Sequence, residues 1–146
     1  MEFDNLSKRV IGLAIEVHKS LGPGLLENTY KECLALEFKE NGINFEKEKE
    51  LPVVYKGLEV ACGYRIDLKV ENSLIIELKS VSSLNSIYDA QILTYMKLSK
   101  IPIGLLINFN VKILKDGIKR FVLKEFNREG REEHEGKIKE ENNDEI

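Results

Sequence analysis

The chain has 146 residues, 42% hydrophobic and 32% charged, a length and balance that suit one globular domain able to bury its own core. It has no apolar run near the roughly 18 residues that a membrane span needs, and its first residues, "MEFDNLSKRV", lack the basic and apolar regions of a secretory leader, so the expected compartment is cytoplasmic. Net charge is −3, but residues 127–146 hold eight acids against four bases, which leaves residues 1–126 at +1 and excludes recruitment of nucleic acid by bulk charge.

Leu6, Val10, Leu13, Ala14, Val17 and Leu21 recur at helical spacing, and Gly22-Pro23 ends the pattern. A second helix is expected from about Leu25 to Asn41, with Leu26, Tyr30, Cys33, Leu34 and Phe38 on its apolar face and Gly42 as its stop. From Ile43 the period changes to two. The spacing predicts a polar, edge-like strand in "NFEKEKELPVV", a Lys56-Gly57 turn, a strand in "LEVACGYRIDLKV", a turn at Glu71-Asn72-Ser73 and a strand in "LIIELKSV": an antiparallel three-strand meander. "SIYDAQILTYMKLSK" has helical periodicity, and "IPIGLLINF" is almost wholly apolar, as a strand covered on both faces is. A helix between two strands implies a right-handed crossover, which makes this strand parallel to its neighbour. "VKILKDGIKRFVL", with Asp116-Gly117 at its centre, predicts a C-terminal hairpin.

The expected fold is thus α/β with a mixed sheet. Residues 1–126 form its domain, followed by a charged tail over 127–146 that is disordered or loosely helical, its only aliphatic residues being two isoleucines. Cys33, on a helix face, and Cys62, in a strand, read as reduced core residues rather than a disulfide.

Two acids stand out in the meander. If Glu71-Asn72-Ser73 is a three-residue turn, Val70 pairs with Leu74, Asp67 lies across from Glu77 and Arg65 across from Lys79; a two-residue turn would put the acids on opposite faces. Like charges directly opposite are destabilising. A shared proton, the cations Arg65 and Lys79, or a divalent metal could each offset the repulsion; the bland account is a solvated face of alternating charge. Glu27 tips the balance toward a site. An acid in a first helical turn is favourable to the helix dipole, but this one shares the apolar face with Tyr30 and Leu34 and so points toward the sheet. Gln91 and Tyr95, four apart on the third helix, are neighbours that could contact a phosphate or hold Lys79. His18 reads as a helix C-terminal residue near the last carbonyls, and His134 as solvated tail.

Together these residues resemble a known family. "DLKVENSLIIELK" resembles the Asp-x(n)-Glu-x-Lys core of the PD-(D/E)xK nuclease superfamily, whose order of helix, three-strand meander, helix and strand is the one read above. "LGPGLLENTY" matches, at Gly24, Glu27 and Tyr30, the motif of the GxxExxY protein family, a small-protein branch of that superfamily, and "QILTY" is similar to its Gln-x-x-x-Tyr element. The resemblance spans about Leu6 to Leu123 and implies a restriction-endonuclease-like core and a metal-dependent deoxyribonuclease. It implies that Asp67, Glu77 and the Leu78 carbonyl hold Mg²⁺ or Mn²⁺, with Glu27 reaching the ion directly or through water. Lys79 would then act on the attacking water, and Gln91, Tyr95 and Tyr30 would support substrate. The residue before Asp67 is Ile66 rather than proline, as in many members. DNA is the implied partner. The alternative is a non-catalytic nucleic-acid-binding or regulatory module on the same fold, and a homodimer or a protein partner stays open.

Overall fold

The computed structural model describes residues 4–124 and 139–141. Helix α1 (Asn5–Leu21) begins where the Asp4 carboxylate accepts from the Ser7 amide at 2.9 Å, and it ends at Gly22, whose φ of +72° a residue with a Cβ adopts only at a cost. Helix α2 (Glu27–Glu40) follows. Leu26, expected on its apolar face, instead precedes its first turn with extended backbone and is exposed.

The main sheet contains β1 (Phe45–Glu50), β4 (Arg65–Val70), β5 (Leu74–Lys79), β6 (Ile103–Asn108), β7 (Ile118–Val122) and β8 (Lys139–Glu141), in that spatial order. Strands β1, β4 and β5 are the expected meander, with Val70 paired to Leu74 across the three-residue turn. Helix α3 (Ser86–Ser99) then carries the chain across to β6, which lies parallel to β5, as the crossover argument requires. Helices α1 and α2 cover one face, where Val10, Ala14, Leu34 and Phe38 share a core with Leu68, Ile76, Leu78 and Ile107 of the sheet; α3 covers the other, where Ile92 and Met96 join Ile75, Leu106 and Phe121.

Three expectations need correction. The two long strands of the meander are broken: β2 (Val53–Tyr55) and β3 (Leu58–Val60) form a separate hairpin. Pro52 has no amide to give the ladder, and Ala61–Gly63 on the other side add residues that Pro52 alone cannot match, so the ribbon bends where Leu51 still donates to the Tyr64 carbonyl at 2.9 Å. Cys62 falls in this bend and is exposed, not core; Cys33 is half-buried and also free. The C-terminal hairpin is made by β6 and β7, not by the segment around Asp116-Gly117, which is a single 3-10 turn (Leu114–Gly117). Last, Lys139–Glu141 pairs with β7 as an edge strand that polarity alone did not suggest; the rest of the tail, with His134, lies outside the described residues.

Gly117 marks the tightest backbone approach, for a Cβ there would meet the Asn108 carbonyl oxygen at 2.3 Å. Gly117→Ala should therefore lower stability by about 2 kcal/mol, or roughly 5–10 °C in thermal unfolding. Gly12→Ala, at a helical position with open space, should instead stabilise slightly.

Candidate functional site

The sheet opens between β4 and β5, and the opening is made by side chains. The ladder runs through Val70–Leu74 to Leu68–Ile76. Beyond it the Asp67 amide donates to Glu77 Oε1 at 3.0 Å, and the Leu78 amide donates to Asp67 Oδ2 at 2.8 Å. Two carboxylates have replaced backbone carbonyls as acceptors, so the strands separate without leaving these amides unpaired. The strict alternation of β4 is lost at the same place: Leu68 and Val70 pack toward α1 and α2, whereas Ile66 packs with the α3 side.

Glu77 is 5% exposed. Burial, together with the charge of Asp67, pushes its carboxyl up to about 8. Asp67 is also raised, chiefly by burial and in spite of the Leu78 amide and the lysines nearby. Near neutral pH the pair therefore favours holding a proton or a cation between its oxygens.

Glu27 reaches this region because the turn before α2 is stapled. Gly24 adopts φ +95°, and the fully buried Tyr30 donates its hydroxyl to the Gly22 carbonyl at 2.5 Å while accepting from the Leu25 amide at 3.1 Å. Its ring stacks on Phe109 at 4.4 Å, and the Ser80 hydroxyl, just past β5, donates to the Leu25 carbonyl at 2.6 Å. These contacts bring the first turn of α2 to the end of β5. Burial and the charge of Asp67 raise the Glu27 carboxyl, with Lys79 opposing. Tyr30 thus holds the hinge rather than facing a substrate. Tyr30→Phe should strand two backbone partners and cost about 1–3 kcal/mol, read as a fall in melting temperature.

The cations are arranged differently from the expectation. Lys79 Nζ lies over the Tyr88 ring, 4.5 Å from its centre. Arg65 is directed to Glu48, at 3.7 Å. The cation nearest the acid pair is Lys31, whose Nζ is 3.9 Å from Asp67 Oδ1 and hydrogen-bonded to Glu48. Burial works against the charge on Lys31, but the hydrogen bond to Glu48 and the charge of Asp67 raise its pKa overall. Sequence reasoning missed both Lys31 and Glu48. Lys31 could have been found from its place one turn after Glu27 on α2. Glu48 could not, because its role comes from register: Lys47 and Lys49 pair with Leu68 and Ile66, so Glu48 stands across from Asp67, with φ +55°.

Gln91 and Tyr95 are joined, the Gln91 amide donating to the Tyr95 hydroxyl at 3.1 Å, and both line a cavity together with Lys79. Burial and the charge of Glu77 push the Tyr95 hydroxyl up to about 12. His18 sits apart from the acids, its Nε2 2.8 Å from the Val111 carbonyl and its ring against Phe109.

Among the described residues, no three of His, Cys, Asp and Glu stand close enough to hold one metal ion by themselves. The donor set of Asp67 and Glu77 nevertheless fits a hard divalent cation, since both are carboxylates and their mutual repulsion is only partly offset by Lys31 beside Asp67 and by the charge of Lys79.

A family model for the PD-(D/E)XK nuclease superfamily matches residues 4–121, from the cap of α1 to β7. The chain belongs to the PD-(D/E)XK nuclease superfamily. No curated protein and no solved structure matches it. As a PD-(D/E)XK domain it has the mixed, restriction-endonuclease-like sheet described above, and its Asp67, Glu77 and Lys79 stand in the order after which the superfamily is named. The superfamily consists in general of nucleases, which are hydrolases, and among the described residues no helix is long and apolar enough to cross a membrane.

Proposed function

We propose that this PD-(D/E)XK domain is a Mg²⁺- or Mn²⁺-dependent nuclease that hydrolyses phosphodiester bonds in DNA. The observation that carries this reading is the buried Asp67–Glu77 pair: two carboxylates forced together where the sheet opens, at a cost that a divalent cation would relieve. Asp67, Glu77 and the Leu78 carbonyl are the groups that would hold it, and Glu27, which senses the Asp67 charge, would act on it through water. The ion, when bound, supplies positive charge to stabilise negative charge growing on the scissile phosphate.

The chain's own groups do the rest. Lys79 has a flexible stem, and its amine can leave the Tyr88 ring to orient the attacking water or help to deprotonate it. Lys31 holds Glu48 and offsets part of the Asp67 charge, which keeps the Asp67 carboxylate ionised more readily than burial alone would allow. Gln91 and Tyr95 support the substrate beside Lys79.

Calorimetric titration with Mg²⁺ and Mn²⁺ tests the ion site, and cleavage assays on branched, single-stranded and duplex DNA test the activity. One strong site is expected in the natural protein and none in Asp67→Ala or Glu77→Ala. Metal uptake that survives both substitutions rejects the assignment. Uptake with no cleavage of any substrate would favour a binding module on the same fold.

A further inference from the structure

A cavity of about 630 Å³ opens beside Lys79, between the neck of the β2–β3 arm and α3. Tyr64, Tyr88, Gln91, Tyr95 and Leu98 line it along with Lys79. Its size is that of a small-molecule site, and its walls are suited to a planar ring. Tyr64 and Tyr95 meet with ring centres 6.2 Å apart at 54°, forming a corner rather than a closed stack. At one side the Gln91 amide and the Tyr95 hydroxyl form a polar pair able to hydrogen-bond the edge of a base. Lys79 belongs both to this wall and to β5, two residues after Glu77. A ring in the cavity would thus have its attached phosphate within reach of the acid pair.

We propose that this cavity holds an unpaired nucleobase next to the phosphate to be cut, so that the substrate is a single strand or a frayed or flap end rather than continuous duplex. The inference rests on the nuclease reading and names its substrate class. Two considerations support it. Residues 1–126 carry a net charge of +1, so bulk charge does not draw a polyanion in, and contacts with bases add affinity that long-range attraction does not supply. Stacking on aromatic rings supplies such contacts without regard to sequence, but a base within a duplex is already stacked and cannot enter.

The test uses the full chain in EDTA, with an oligonucleotide carrying one 2-aminopurine as the probe. The same strand is offered single, annealed into duplex, and as RNA. Fluorescence should report stacking, and the single strand should bind about tenfold more tightly than the duplex. Tyr64→Ala and Thr94→Trp, the latter filling the cavity from an exposed position of α3, should each weaken single-strand binding about tenfold, while Tyr64→Phe should retain it. Circular dichroism of each variant confirms folding. Binding of the RNA strand as well would support the base site and extend the substrate to RNA. Equal affinity for single strand and duplex, or full binding by a folded Thr94→Trp, would overturn the proposal. The two readings fail separately: stacking without metal uptake or cleavage removes the nuclease and leaves the base site, whereas duplex cleavage without stacking does the reverse.

Discussion

Glu77→Gln is expected to raise the melting temperature of the metal-free protein at pH 9 by about 15 °C, and to leave it unchanged near pH 4. The sign follows from linkage. The Glu77 carboxyl is raised from an ordinary 4.5 to about 8 in the folded chain, so the folded state holds a proton that the unfolded state has lost between those values. Stability contributed by this residue is therefore intact below about pH 4.5, falls as pH rises, and reaches its full deficit above about 8. Glutamine keeps an oxygen for the Asp67 amide and cannot ionise, so it escapes a deficit on the order of 5 kcal/mol. Added Mg²⁺ should reverse the order, because the natural protein gains stability by binding and the variant does not. Thermal unfolding in EDTA and in Mg²⁺ across this pH range is the measurement. A difference between the two proteins that does not change with pH would show that burial and the Asp67 charge do not hold the Glu77 carboxyl up.

Lys79→Met should reduce the cleavage rate by roughly 10²–10⁴-fold, the usual worth of a positioned proton-transfer or water-orienting group, while metal uptake and melting temperature stay close to those of the natural protein. The amine makes no direct salt bridge among the described residues and rests on the Tyr88 ring, so its removal breaks no ion pair and reaches Glu77, Asp67 and Glu27 only as the loss of a through-space charge. Methionine preserves the apolar stem against that ring. Single-turnover rates alongside calorimetry separate the two quantities, and equal loss of metal binding and rate would place Lys79 in the ion site instead.

The Tyr30 hinge shows how three spaced residues become a local structure. Gly24 takes a backbone conformation that favours glycine, Tyr30 ties the carbonyl of Gly22 to the amide of Leu25, and Glu27 is left in the first turn. Each contact lies within eight residues of its partner, so spacing alone could point to it. Helix order, the three-residue turn and the parallel pairing of β5 with β6 were legible for the same reason: hydrophobic period, turn chemistry and crossover handedness are short-range or topological rules.

What lay beyond the sequence depends on register between distant strands. The periodicity of β4 puts Asp67 on a polar side, but only the folded sheet shows its carboxylate taking a backbone amide of β5 and parting the strands. Lys31 shares a helix face with Glu27, but its partners are fixed only when β1 places Glu48 over it and β4 places Asp67 beside it. The arm appeared as continuous strand because alternation in "NFEKEKELPVV" survives Pro52, whereas the missing amide matters only once a partner strand must bond to it. By itself the sequence determined the three helices, the central meander with the parallel strand after it, their order and the superfamily motif, since these follow from neighbours along the chain. The tertiary structure decided which charges meet and which amide each carboxylate satisfies, because electrostatic energy depends on distance through space and on the water that packing removes.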